Sequence, residues 1–275
     1  MMYHIIFLYG GVNFMDIKKV TAIYFSPTGG TRKYAVEIAK AIKNDYEEID
    51  LTQVCNREKE YVFNEDELVV FGSPVYFGRI PQIKGGIFER IKGNKTKAIY
   101  TVTYGNRNYE DALLEQGNIC GKNGFVGIAA AALIAPHAFS SKIAQGHPNN
   151  ADISALEVFV KRVKEIIEKE EYYNKDLVVR GKMPYRKYLS APFYPNAKKK
   201  CKKCGTCIEK CPMEAISANN PEMTDSSKCI ACFACVKSCP YKVRTVKNLM
   251  FYLAKYVLER KLVAIEKIPE FFYIS

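Results

Sequence analysis

Eight cysteines fall in two matching runs, Cys201, Cys204, Cys207 and Cys211 ahead of Pro212, and Cys229, Cys232, Cys235 and Cys239 ahead of Pro240. Each run reads C-x-x-C-x-x-C-x-x-x-C-P. Thiolates are soft ligands for iron, and three at this spacing can fold around one iron–sulfur cubane while the fourth, turned away ahead of proline, reaches another. The spacing therefore predicts two 4Fe-4S clusters with crossed ligation. Cys201, Cys204, Cys207 and Cys239 would hold the first, and Cys229, Cys232, Cys235 and Cys211 the second. Structural zinc also uses C-x-x-C pairs, but it needs only four ligands per ion and has no use for a third evenly spaced cysteine or a following proline. The doubling is an internal repeat, so pseudo-symmetry would bring the two clusters close enough to pass electrons. Cys55 and Cys120 lie outside the spacing and read as small buried or half-exposed residues.

A second constellation lies upstream. Ser26-Pro27-Thr28-Gly29-Gly30-Thr31-Arg32 follows a β-rich run and leads into a helical one. Hydroxyls and free backbone N–H groups converging at a helix N-terminus form an anion site. Two more loops follow strands at the same edge of the expected sheet: one contains Pro74, Val75, Tyr76, Phe77 and Gly78, the other Tyr104, Gly105, Asn106 and Arg107. Each sets an aromatic beside a glycine, which suits a flat heteroaromatic ring that stacks on one side and takes backbone amides on another. His137 follows the fifth strand, where it could give a proton to such a ring. A loop histidine with no visible partner is read first as structural or exposed.

The elements that must position these residues alternate. Short β-rich runs at 20–25, 46–50, 68–72, 97–104 and 125–133 are separated by helical spacing at 31–42 and 109–116. A longer helix over 153–170 closes the set, its apolar face built from Ile153, Leu156, Phe159, Val160, Val163, Ile166 and Ile167. This is the pattern of a parallel sheet wrapped by helices, an α/β doubly wound domain. We place that domain at 15–171, a proline- and tyrosine-rich linker at 172–198, the cysteine module at 199–247 and a helical tail at 248–275. In the tail, Leu249, Leu253, Tyr256, Val257 and Ala264 form one stripe, expected to dock against the protein's own surface; Leu258, Leu262 and Ile265 fall on a neighbouring face. Gly10-Gly11 shortly before Met15 can be encoded by a ribosome-binding sequence, so Met15 is the expected initiator and residues 1–14 an extension of the gene model.

Residues 200–246, including Ala215-Ile216 after the first CP, resemble a bacterial-type two-cluster ferredoxin. That resemblance implies one-electron transfer at low potential, on the order of −400 mV. Residues 18–171, with the three loops quoted above, resemble the flavodoxin-like FMN-binding fold, which implies strand order 2-1-3-4-5. It also implies phosphate contacts from Ser26, Thr28, Gly29, Gly30 and Thr31, and a ring framed by Pro74 to Gly78 and Tyr104 to Arg107. The chain has no Trp, so Tyr76 or Tyr104 must take the stacking place that tryptophan fills in many flavodoxins. Together the two halves resemble a fusion family of flavodoxin-like and ferredoxin proteins from anaerobic microbes. The implied function is electron transfer between two 4Fe-4S clusters and FMN. Alternatives are an FMN-dependent reductase of a small organic acceptor fed by its own ferredoxin module, and a redox sensor or structural cluster protein.

Charge agrees with bound anionic cofactors. The chain carries Lys+Arg 41 against Asp+Glu 29, formally +12. Two clusters and one FMN, each near −2, would lower this to about +6. Lys198, Lys199, Lys200, Lys202, Lys203 and Lys210 crowd the first cysteine run and suit an acidic redox protein as partner. No base-reading motif for nucleic acid appears. Clustered cysteines imply a reducing compartment, and no apolar run long enough to cross a membrane is present, so a soluble cytoplasmic protein is expected.

Overall fold

Alternating burial organises the first half of the chain. In the computed structural model, which describes residues 17–169, 175–189, 192–198 and 200–275, the elements run β1 (Lys19–Tyr24), α1 (Gly30–Ile42), β2 (Tyr46–Asp50), α2 (Val54–Arg57), β3 (Tyr61–Phe63), β4 (Glu67–Pro74), β5 (Ile91–Gly93), β6 (Thr96–Tyr104), α3 (Ala112–Lys122), β7 (Phe125–Ile134) and α4 (Asn150–Glu168). Successive side chains of a strand point to opposite faces. Thus Ile23, Phe25, Val69, Phe71, Tyr100 and Val102 join the core under α3, while Ala22, Tyr24, Leu68, Val70 and Ile99 join the core under α1 and α4. Strand β6 is buried at every position, as a central parallel strand covered on both faces must be.

The second half adds β8 (Asn196–Ala197), α5 (Thr206–Glu209), α6 (Ala234–Lys237), β9 (Arg244–Thr245), α7 (Leu249–Leu262) and β10 (Glu270–Tyr273). The main sheet has the order β10-β7-β6-β4-β1-β2. Its five parallel strands therefore lie second, first, third, fourth and fifth in chain order. Strand β10 pairs antiparallel with β7, Phe271 opposite Ala131, and Phe271 stacks on Phe159 of α4 at 4.8 Å. The expectation of a purely helical tail over 248–275 is thereby corrected: its end covers a sheet edge that would otherwise stay unpaired.

The tail stripe is corrected too. Leu249, Leu253, Tyr256 and Val257 are exposed, whereas Phe251 and Leu262 are buried. The inward face is Phe251, Leu258 and Leu262, because Phe251 inserts among Phe139, Phe193 and Phe233. Helix α3 starts later than the expected 109–116, after Glu110 takes a positive φ of 46°, and runs on to Lys122. Residues 175–189 lack regular structure but are strapped down. Asp111 accepts from the backbone N–H groups of Lys182 and Arg186, and Arg79 donates to the Arg186 carbonyl while pairing with buried Glu115. Among the described residues no helix is long and apolar enough to cross a membrane. The start-site expectation at Met15, Lys199 and the expected domain boundary at 171–172 lie outside the described residues.

Candidate functional site

At the C-terminal edge of the parallel strands the three loops enclose a cavity of about 360 Å³, within the usual range for a small-molecule site. The β1–α1 loop sets its base. Gly29 caps α1 in the left-handed region at φ 87°, a conformation that lets the chain turn sharply into the helix. The Ser26 hydroxyl accepts from the Arg32 N–H at 2.9 Å and the Thr52 hydroxyl accepts from the Ser26 N–H at 2.7 Å, while Thr31 bonds Thr103 across the site at 2.6 Å. The N–H groups of Gly30 and Thr31 belong to the first turn, which has no intrahelical partners for them.

All the expected loop residues except Gly29 and Asn106 line this cavity. Asn106 instead turns its amide to the end of α7, donating to the carbonyls of Leu262 at 2.9 Å and Ile265 at 2.7 Å. It satisfies carbonyls that a helix end leaves orphaned. Tyr104 is buried with its hydroxyl unpartnered, and burial pushes its phenol up to about 12. His137 also lines the cavity, packed so close to Gly105 that a Cβ there would lie 2.4 Å from His137 Cδ2. Burial, with help from Lys237 and Arg107, lowers His137 to about 4. Its ring is therefore neutral at pH 7 and cannot serve as an imidazolium donor.

The cavity also takes residues that sequence reading missed. Arg186 and Leu189 come from the strap, Leu258 from α7, and Ile230 and Ala231 from between two cysteines of the second run; Pro136, Ala138 and Phe139 flank the already noted His137 in the loop after β7. Nothing in C-x-x-C spacing marks its spacer residues as the wall of another site; Leu258 carried a partial signal, as an apolar residue on the face beside the expected tail stripe.

The cysteines gather in two groups of four, each taking one member from the other run. One small cavity is bordered by Cys201, Cys204, Cys207 and Cys239, and a second by Cys211, Cys229, Cys232 and Cys235. In each, four sulfurs surround a void; among the described residues no three His, Cys, Asp or Glu side chains converge to hold a single ion. Positive φ angles recur at matched places in the two repeats, Lys203 with Ala231, Gly205 with Phe233, and Glu214 with Lys242. Such turns aim backbone N–H groups inward. Lys203 N donates to Cys201 Sγ at 3.4 Å, Ala231 N to Cys229 at 3.4 Å and Ala215 N to Cys211 at 3.3 Å. Burial pushes the Cys235 thiol up to about 11 and Cys232 higher still, whereas a contact with the Thr206 hydroxyl lowers exposed Cys204.

Cage two, the Cys211–Cys229–Cys232–Cys235 set, adjoins the large cavity. Ile230 lines both, and Tyr76 lies near enough to Cys232 and Cys229 for thiolates there to raise its phenol beyond the effect of burial. Phe139, a cavity residue, meets Phe233 and Phe251 at 5.6 Å each. Arg57 of α2 donates to the Pro212 carbonyl at 2.5 Å, and Lys237 of α6 to the His137 carbonyl at 3.3 Å. Residues 21–112 match the family described as a flavodoxin domain, and residues 195–240 match the 4Fe-4S dicluster domain. The chain joins a flavodoxin-like domain to a 4Fe-4S dicluster domain.

Solved structures similar to the flavodoxin-like domain include a flavodoxin from the domain Archaea, 13% identical over 54% of this chain and 98% of that one with TM-score 0.36. A Streptococcus pneumonia TIGR4 flavodoxin is 13% identical over 53% and 97%, TM-score 0.37, and two-electron reduced Megasphaera elsdenii flavodoxin 19% identical over 52% and 98%, TM-score 0.33. No curated protein matches the chain. Between the flavodoxin-like domain and the dicluster domain run the Phe139, Arg57 and Lys237 contacts, so the two halves meet where their sites meet.

Proposed function

We propose that the chain is an electron relay with FMN in the large cavity, a 4Fe-4S cluster in each cysteine cage, and a surface port at cage one. The observation that carries this reading is the shared wall: Ile230 borders both the cavity and cage two. The order of centres is then cage one, cage two, flavin. The boundaries that go with it are 15–171, 172–198, 199–247 and 248–275.

FMN, when bound, supplies the capacity to take one electron or two, which couples one-electron clusters to two-electron chemistry. The residues fit it. Ser26, Thr28 and the first-turn N–H groups of α1 suit its phosphate. Tyr76, Phe77 and Tyr104 offer apolar faces to its ring. The Tyr104 hydroxyl, buried without a protein partner, is a donor for a polar ring edge, since an orphaned buried hydroxyl is otherwise costly. Neutral His137 can offer an N–H there without adding charge. Fitted sulfurs around two voids, with backbone N–H groups aimed at them, suit clusters whose potentials such bonds tune.

Cage one faces outward. Cys204, Lys200, Lys202, Lys203 and Lys210 are exposed around it, a surface that suits an acidic redox protein. The test is cofactor content of protein purified without oxygen. About eight irons with matching acid-labile sulfide, and one flavin, are expected per chain. Eight irons with no flavin bound after addition of FMN would withdraw the cavity assignment, and about four irons would withdraw one cage.

A further inference from the structure

Arg244 is 3% exposed. It sits in β9, opposite Ala197 of β8, and its guanidinium lies where the two cysteine cages meet. Nη1 donates to Cys207 Sγ at 3.5 Å and to the Pro221 carbonyl at 2.7 Å; Nη2 donates to the Pro195 carbonyl at 3.0 Å and to Thr224 Oγ1 at 2.5 Å. Cys207 belongs to cage one. The same charge acts on Cys235 and Cys229 of cage two, favouring thiolate over thiol. Cys207 and Cys235 pack together with Ile216 in one small core, so a cation at this seam is near both voids.

A guanidinium keeps its charge in any protein environment. Burying one is costly unless an anion compensates it. Among the described residues no carboxylate accepts from Arg244; its protein partners are a thiol sulfur, two carbonyls and a hydroxyl. Its Nε–H is buried and without any acceptor. Each loaded cage carries net negative charge, which supplies the missing counter-charge, and sulfur atoms of the cluster supply an acceptor class for the remaining donor.

We infer that Arg244 is a counter-charge shared by both cages, which raises the reduction potential of both clusters together. This rests on the two-cluster reading above. Reduction adds one negative charge to a cluster, and a fixed cation close by stabilises the reduced form more than the oxidised one. A seam position acts on both couples; a surface lysine beside cage one acts chiefly on one and is screened. Arg244 is a positioning residue, since it touches ligands and tunes the groups they hold.

The experiment is a potentiometric titration, followed by electron paramagnetic resonance, of the full chain purified without oxygen, in wild type, Arg244→Lys and Arg244→Met, with iron and sulfide measured on each sample. Arg244→Met is expected to retain both clusters and to lower each reduction equilibrium constant at least tenfold, a shift of ~59 mV for one electron; Arg244→Lys is expected to recover most of the shift. Should Arg244→Met lose iron while Arg244→Lys keeps both clusters near wild-type potentials, the charge is required for assembly and the inference stands. Loss of iron in both variants would make Arg244 a packing tie between Pro195, Pro221 and Thr224, and overturn it. Full iron with unchanged potentials in Arg244→Met, or a shift confined to one cluster, would overturn it as well. A wild-type chain with about four irons would instead defeat the two-cluster reading, a distinct result.

Discussion

The two cysteine cages repeat one spacing and one set of turns, yet their surroundings share little. Cage one has an exposed cysteine, Cys204, and a rim of lysines with exposed Tyr241. Cage two buries Cys232 and Cys235, is walled by Pro195, Ile216, Ile230 and Phe233, and backs onto the flavodoxin-like domain through Arg57 and Lys237. The same cysteine spacing therefore builds both cages, while residues brought by other elements specify which way each one faces. Under the proposed relay, that asymmetry would set cage one toward the outside and cage two toward the large cavity.

Removing one ligand from each cage tests this most severely. Cys232→Ala is expected to empty cage two and to abolish flavin reduction by an external low-potential donor. Cys204→Ala is expected to empty cage one while leaving exchange between cage two and the flavin intact after photoreduction within the chain. Iron should fall to about four per chain in either case, so the contrast lies in stopped-flow flavin absorbance. Equal effects of the two substitutions on that exchange would remove the asymmetry.

Much of the fold and the grouping of the cysteines could be read from the chain, for reasons that differ by region. Parallel strands buried on both faces write themselves as dense apolar runs, as in β4 and β6, and amphipathic α4 kept its stripe from Leu156 to Ile166. The cysteine cages are legible because they are local: three of the four cysteines around each come from one short run. The cavity was only partly legible. Its β-α loops have local signatures, but Ile230, Arg186 and Leu258 reach it by tertiary packing, and no local period records that. Asn106 misled because its loop looked like a ring frame, whereas its amide answers carbonyls more than 150 residues later. β10 was hidden for a related reason: Glu270–Tyr273 is too short to declare itself and gains its pairing from β7.

The cavity side of the comparison can be broken without touching a cysteine. Gly105 lies where a Cβ would meet His137 Cδ2 at 2.4 Å and His137 Cα at 3.0 Å. Overpacking of this kind costs about 1–3 kcal/mol, so Gly105→Ala should weaken FMN binding roughly tenfold or more, with iron content unchanged. Fluorescence titration of flavin-free protein measures it. A loss of iron in this variant would mean that the cavity and cages fold as one unit.

The outward side responds to charge. Lys202→Glu with Lys210→Glu should slow association with an acidic donor about tenfold at low ionic strength, with the difference fading as salt rises. Rapid-mixing rates at two salt concentrations decide it. A salt-independent defect would place the effect inside cage one rather than at its rim.

The smallest effect is a proton at the seam between the cavity and cage two. His137 is held near 4 by burial first and by the Lys237 and Arg107 cations after it. Lys237 follows Cys235 in the chain and bonds the His137 carbonyl, so the histidine senses cage two's helix and none of cage one's lysines. Its folded value lies below the ordinary 6.5, which means the unfolded chain binds more protons between pH 6.5 and 4. Stability from this group is therefore full above about pH 6.5 and is lost as pH falls toward 4, by roughly 2 kcal/mol at pH 5. His137→Gln should remove that part of the pH dependence in urea unfolding at pH 7 and pH 5. Lys237→Met should shrink it by bringing the histidine back toward its ordinary value, whereas Lys202→Met should leave it as it is. If both lysine variants behaved alike, the cavity would be blind to which cage adjoins it, and the division of labour between the cages would lose its electrostatic basis.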